Sequence, residues 1–350
     1  DDDLDIVFSW SPSPTYRKIS LLEKTGPATF AAPVELVEPI YLMRSISTGD
    51  LNMDGMMDIL YEGKEHAQYS YISNEGGLSF SEPIVLNAHN FQVYQMVNDD
   101  FNGDGLVDLL CLSNYPGNIN WFENLGDGTF GPSNMIVFEE HGLNAIIALD
   151  IDGDLDKDLI VASREDSTLS LIENLGGGTF GPMEEFVDEP IFTQKMLAID
   201  LNEDGNMDFI RMGANYDNIL TYHENLGGSF APQVEIPTPV PTAIDIELTD
   251  LDLDGDEDLI FLSWDSGHSY SWFENTGGAF ASEATLFSES GSDFAIADLN
   301  NDGLADIVAI EGIFSPEIFW FENLGDEEFA EKELISTGHL AAYELLTSDL

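Results

Sequence analysis

The chain has one cysteine, Cys111, in 350 residues, so no internal disulfide can form. It lies in the apolar run Asp108-Leu-Leu-Cys-Leu and reads as a buried, inert thiol. Cations are scarce: Lys and Arg total 10 against 67 Asp and Glu, a formal charge of −57. Such a surface repels phosphate backbones and anionic bilayers, which excludes nucleic acid and membrane surfaces as partners. No stretch approaches ~18 consecutive apolar residues, so direct membrane insertion is excluded as well. No helical period appears, and no signal peptide stands at the start; the opening Asp1-Asp2-Asp3 reads as that of a processed product. Catalytic signatures are missing too, with no His-Glu-x-x-His, nucleophile elbow or phosphate loop. On those grounds the chain is not expected to be an enzyme.

What the chain does have is one phrase written six times. It begins at Asp50, Asp100, Asp150, Asp200, Asp250 and Asp298, a period of about 50 residues. The first copy offers Asp50, Asn52, Asp54, the Met56 carbonyl and Asp58. The second offers Asp100, Asn102, Asp104, Leu106 and Asp108, and the third Asp150, Asp152, Asp154, Asp156 and Asp158. Next come Asp200, Asn202, Asp204, Asn206 and Asp208, then Asp250, Asp252, Asp254, Asp256 and Asp258, then Asp298, Asn300, Asp302, Leu304 and Asp306. Alternate oxygens in a tight loop suit a hard cation, and Ca²⁺ takes about six to eight of them. Asp-Gly and Asn-Gly pairs also make ordinary turns, but six copies in register favour the ion. Gly holds position six in every copy except the third, where Leu155 stands. A left-handed Leu costs ~1–2 kcal/mol, so that loop is expected to bind metal with a different geometry.

Around each phrase the pattern is that of strands. In the Asp150 unit, 144–149 leads into the loop, Leu159-Ile-Val-Ala leaves it, and 169–174 follows. A Gly-rich turn at 176–178 then precedes Phe180, which is expected to open a fourth strand. Phe30, Phe80, Phe130, Phe180, Phe230, Phe280 and Phe329 all follow such a turn, as rings packing one sheet on the next would. A second column reads Leu21, Tyr71, Trp121, Leu171, Tyr222, Trp272 and Trp320; its two leucines favour packing over sugar stacking. Joining the chain ends yields a seventh unit. Asp349 matches loop position one, while Asp1, Asp3 and Asp5 match positions five, seven and nine. The first sheet is then closed by the C-terminal strand, which leaves no open edge.

These residues resemble the FG-GAP/VCBS repeat of integrin α-chain propellers, of a fungal lectin and of many secreted bacterial surface proteins. The Asp-x-Asn/Asp-x-Asp-Gly-x-x-Asp phrase and Asn-Leu-Gly-x-Gly-Thr-Phe-Gly-Pro at 124–132 and 174–182 carry the likeness. The resemblance implies an all-β, seven-bladed propeller over residues 1–350, with Ca²⁺ in the loops between first and second strands. It also implies that ligands meet the opposite face or the clefts between blades.

The expected face carries the turns between second and third strands, including 9–16, 113–117 and 263–268. Trp10, Tyr16, Tyr115, Trp264 and His268 are the candidate ligand-binding residues there. His223 replaces Phe122 or Phe273 of other units and reads as core; Arg211 reads as a buried ion-pair partner. The expectation is an extracellular adhesion or binding module holding six or seven Ca²⁺ and recognising glycan or protein, within a longer secreted or surface protein. Weak Asp-rich sites fill at extracellular Ca²⁺ and would stand mostly empty in cytosol. The alternative is a polysaccharide lyase or hydrolase on the same scaffold, which the scarcity of cations disfavours for anionic substrates.

Overall fold

The computed structural model describes residues 4–350 apart from 14, 28, 42, 44, 63–68, 87–92, 115, 140–141, 164–166, 189–191, 214–218, 238–242, 264–268, 313–315, 326–327 and 339–341. Strands supply its regular structure, and no helix occurs among the described residues. Seven antiparallel sheets of four or five strands follow one another along the chain, the arrangement of a seven-bladed β-propeller, and a two-stranded ribbon pairs Lys24–Gly26 with Thr29–Phe30.

The fourth sheet shows how the residues produce it. Leu143–Leu149, Asp158–Ser163, Thr168–Ile172 and Glu184–Asp188 pair in chain order. Every residue of Asp158–Ser163 is buried, because side chains alternate across a strand that is covered on both faces. Leu159 and Val161 join Leu110, Leu112 and Trp121 of the third sheet. Ile160 and Ala162 join Met196 and Phe209 of the fifth. The last strand starts later than its sequence suggests: Phe180 makes a lone bridge to Asn174, and the ladder resumes at Glu184. Pro182 lies between them and has no N–H to give a ladder.

The phenylalanine column packs as expected. Phe130 meets Tyr71 of the preceding sheet with centroids 6.2 Å apart, and Phe180 meets Trp121 at 6.4 Å. Gly178 makes room for that indole: it holds φ +71, and a Cβ there would overlap the ring. Cys111 is fully buried, and His223 stacks on Phe209 with centroids 4.4 Å apart. Burial and the Arg211 charge push the imidazole down to about 4, so it packs as a neutral ring. Arg211 is buried as expected, and its Nε donates to Thr193 Oγ1 at 2.7 Å.

The first sheet uses both ends of the chain. Leu4–Ser13 pairs with Tyr16–Leu22 on one side and Ala342–Asp349 on the other. Ser348 stands opposite Asp5 as Gly49 stands opposite Asp58, so the termini meet in the register of the second sheet. One expectation needs correction: Trp10 is in the strand and not in a loop. The strand runs on to Ser13 because Trp10 pairs with Lys18 and its indole N–H donates to Ser20 Oγ at 2.9 Å.

By internal contacts the chain divides into two units. Arg44–Glu75 with Ser81–Ile236 contains the second to fifth sheets, and Asp1–Met43, Gly76–Phe80 and Pro237–Leu350 contain the sixth, seventh and first. In the latter, Ile6, Phe8 and Leu22 pack on Val308, Ile310 and Trp320.

Candidate functional site

Each acidic phrase forms the connection from first to second strand, and its side chains satisfy its own backbone. In the first copy, Asp50 Oδ1 accepts from Asp54 N at 3.1 Å and Oδ2 from Gly55 N at 3.0 Å. Asn52 Oδ1 accepts from Asp54 N, and Asp54 Oδ1 from Met56 N, both at 2.9 Å. The same bonds recur in the loops at Asp100, Asp200, Asp250 and Asp298. Short polar side chains folding back on their own backbone are what Asp and Asn do in turns. Here every such bond draws a carboxylate or amide oxygen toward the inside of the loop.

The loop with Leu155 keeps the left-handed turn but not every bond, since Asp150 Oδ1 accepts from Gly153 N at 2.8 Å. Leu155 holds φ +76, and its N–H donates to Asp150 Oδ2 at 3.0 Å, as glycine does elsewhere. The side chain is 88% exposed, so nothing clashes with it and the cost is confined to its own backbone. A second left-handed position went unread. Position four is left-handed in all six loops, as Met53, Gly103, Gly153, Glu203, Leu253 and Asn301. Only the two glycines and the asparagine hint at it; Met, Glu and Leu carry no such signal.

Position nine differs in kind. Asp58, Asp108, Asp158, Asp208, Asp258 and Asp306 are all buried. Asp208 Oδ2 accepts from Leu201 N at 3.1 Å and Oδ1 from Asn225 N at 2.6 Å, tying the loop to the end of the third strand. Burial pushes the carboxyls of Asp108, Asp158, Asp208 and Asp306 up to about 6 and that of Asp258 up to about 7, against the pull of those N–H donors. A buried carboxyl with so raised a pKa is the kind of group a cation would bring back to its ionised form.

Carboxylate oxygens of Asp150, Asp152 and Asp158 lie within 4.8 Å of one another, as do those of Asp250, Asp252 and Asp254. These acidic clusters could hold a metal ion. The other four loops have Asn at position three, which offers a neutral oxygen in place of a carboxylate. An all-oxygen set fits a hard cation and disfavours softer metals. In the split seventh unit, Asp5 is buried and its Oδ1 accepts from Lys24 N at 2.9 Å, the bond position nine makes elsewhere. Asp349 is exposed at the end of the last strand; Asp1 and Asp3 lie outside the described residues.

Of the five candidate ligand-binding residues, Tyr115, Trp264 and His268 also lie outside the described residues. Trp10 and Tyr16 come together at the end of the first sheet away from its terminal-loop residues. Tyr16 packs edge-on to Tyr41 with centroids 5.6 Å apart. Lys18 Nζ lies 5.4 Å from the Trp10 ring and 2.5 Å from Glu35 Oε2. Arg17 stacks on Tyr343 at 3.9 Å. Tyr16 and Tyr343 are 41% and 43% exposed, whereas Trp10 packs against the sheet core. Tyr41, Arg17 and Tyr343 were not read from the sequence, since Tyr343 lies more than 300 residues away from Arg17. Elsewhere, a cavity of about 530 Å³ opens beside the loops, between Glu247–Asp250, Ala295–Asp298 and Leu345–Thr347. A cleft of about 710 Å³ separates Ile84–Leu86 from Phe122 and Gly128–Ser133, between the second and third sheets.

The FG-GAP-like repeat matches at residues 100–161, 150–211, 200–261 and 250–309. No curated protein matches the chain by sequence. Among solved structures, an Agrocybe aegerita lectin described as recognising non-reducing terminal N-acetylglucosamine is similar with a TM-score of 0.70 and 18% identity, over 99% of this chain and 95% of that one. A periplasmic gluconolactonase of Pseudomonas aeruginosa is similar with a TM-score of 0.65 and 9% identity, over 99% of both chains. A Bacteroides uniformis protein provisionally described as a 6-phosphogluconolactonase gives 0.64 and 10%, over 99% of this chain and 100% of that one. Likeness at these identities is likeness of fold. It nevertheless corrects one expectation: the lack of catalytic motifs does not set this chain apart from enzymes, because the same architecture serves lactonases.

Proposed function

The chain belongs to the FG-GAP-like repeat family, and from that premise we propose that it is a Ca²⁺-stabilised glycan-binding propeller of the extracellular medium. The observation that carries the cation part is the six-fold return of one loop geometry, left-handed positions included. A bound cation would neutralise carboxylates that otherwise repel one another and tie each loop to its sheet. Six Ca²⁺ ions are proposed, and a seventh where the chain ends meet. Sites of this kind fill at the millimolar Ca²⁺ outside cells.

Glycan recognition is placed at the aromatic end of the first sheet. Half-exposed tyrosines give flat apolar faces with polar tips, the chemistry that stacks on a sugar ring. The likeness to the lectin supports the ligand class. A glycan array with and without Ca²⁺ tests the reading, followed by Tyr16→Ala and Tyr343→Ala. Both variants should lose glycan binding while melting within about two degrees of the parent, as exposed side chains do. Unchanged glycan binding in both would place recognition elsewhere. A second reading, hydrolysis of a sugar lactone, is supported by the lactonase likeness. Release of acid from gluconolactone, with and without Ca²⁺, checks it in the same preparation.

A further inference from the structure

In the third, fourth and fifth sheets, the asparagine two residues past the third strand touches two acidic loops at once. The backbone N–H of Asn174 donates to Asp158 Oδ1 at 2.7 Å, position nine of its own loop. Its Nδ2 donates to Lys157 O at 3.2 Å and, across to the third sheet, to Phe101 O at 2.9 Å. Phe101 is position two of the neighbouring loop, and its N–H donates to Asp108 Oδ2 at 3.3 Å. Asn124 repeats the arrangement, reaching Val107 O and Leu51 O, both at 2.9 Å. So does Asn225, reaching Met207 O at 3.2 Å and Ile151 O at 2.9 Å. All three asparagines are 1% exposed or less.

We infer that Asn124, Asn174 and Asn225 are positioning residues that couple cation binding in neighbouring loops. This rests on the cation reading above and adds to it an order of filling. Each carboxamide has two N–H donors, and both are committed, one to each loop. Leu51, Phe101 and Ile151 are buried, so losing the bond to position two leaves a buried carbonyl unsatisfied. A cation that draws one loop tight therefore fixes the asparagine, and the asparagine holds position two of the next loop where its own cation needs it. The ordering cost is shared, which makes the second ion bind more tightly than the first. Linkage requires the effect to be reciprocal. The chain of bonds runs through the four loops from Asp50 to Asp208, each step crossing one pair of sheets.

Trp121 provides a local reporter, because its indole N–H donates to Asp108 Oδ2 at 3.1 Å. Terbium binds oxygen ligand sets like those of Ca²⁺ and emits when an adjacent indole is excited. The experiment uses the full chain with Trp272→Phe and Trp320→Phe, which removes the two tryptophans in the same strand column. Terbium is titrated under indole excitation, and the part of the emission that a further Trp121→Phe removes reads the Asp100–Asp108 loop. Disabling the next loop with Asp150→Ala and Asp154→Ala should weaken terbium at Asp100–Asp108 about fivefold. In Asn174→Ala, and separately in Asn174→Asp, the same loop change should shift the midpoint by no more than about twofold. A purely structural asparagine would lower the melting temperature and leave the shift intact. An unmoved midpoint in the parent background overturns the coupling. A shift that survives both Asn174 substitutions overturns the role of the asparagine. Absence of any indole-sensitised terbium emission overturns the cation reading, and the coupling with it.

Discussion

The two ends of each sheet obey different rules. At the loop end, the bond from the position-six N–H to the position-one Oδ2 returns six times at 2.8–3.1 Å. At the other end, the described residues differ from sheet to sheet. The first sheet places Tyr16, Tyr41, Arg17 and Tyr343 there. The seventh clamps Lys332 Nζ between Glu289 Oε2 at 2.6 Å and Glu311 Oε2 at 2.7 Å, over the Phe319 ring. Sameness at one end is what six copies of one small ligand would impose. Difference at the other is what recognition of a single larger ligand allows on a repeated scaffold.

The largest expected break in this comparison comes from chelation. Each filled site contributes ~2.7 kcal/mol at a hundredfold excess of ligand over Kd. Removing Ca²⁺ from six loops should lower the melting temperature by about ten degrees or more. Hydrogen exchange should rise at the loops and stay unchanged around Tyr16–Leu22. A melt indifferent to chelator and to added Ca²⁺ would mean the loops are ordinary turns.

Next in size is loss of one position-nine carboxylate. Asp208→Ala strands the N–H groups of Leu201 and Asn225 in the interior, at a cost of about 2–4 kcal/mol. Urea unfolding measures it. A cost below ~1 kcal/mol would mean that water replaces the carboxylate.

A pH series then separates bare loops from filled ones. The position-nine carboxyls stand at about 6 to 7 in the fold, above the ordinary range for Asp. The folded chain therefore binds more protons than the unfolded one between about pH 4 and pH 7. Their contribution is full below the unfolded pKa and is lost as pH rises through the folded one. Chelated protein should melt higher at about pH 5.5 than at about pH 7.5. With Ca²⁺ present, protons compete for the same oxygens and the trend should reverse. Parallel trends in the two samples would disconnect these carboxyls from the cation.

Smallest is Leu155→Gly. Glycine takes φ +76 without strain, and the exposed leucine gives up no packing. The variant should gain about 0.5–1 kcal/mol. A loss in its place would show that the Leu155 side chain contributes to the loop.

The repeat was legible because spacing is a property of the covalent chain. Once Asp50 and Asp100 are in phase, strand count, turn placement and the pairing of Ser348 with Asp5 follow from counting residues. Local chemistry was legible in part. Gly55 announces its left-handed turn, but Met53 conceals another, since the conformation comes from the hydrogen bonds around it. Pro182 was visible and its effect on the fourth strand was missed.

What the sequence by itself determined is the blade: its four strands, its acidic loop, and the splitting of the first sheet between the chain ends. Alternation of apolar residues and the positions of glycine act within a few residues, so they can be read in one dimension. Only the tertiary structure decided that Asn174 joins Phe101 to Lys157, that Tyr343 lies under Arg17, and that Trp10 belongs to a strand and its core. Those contacts link residues tens to hundreds of positions apart, and no local preference of Asn, Tyr or Trp encodes which distant partner packing will bring within reach.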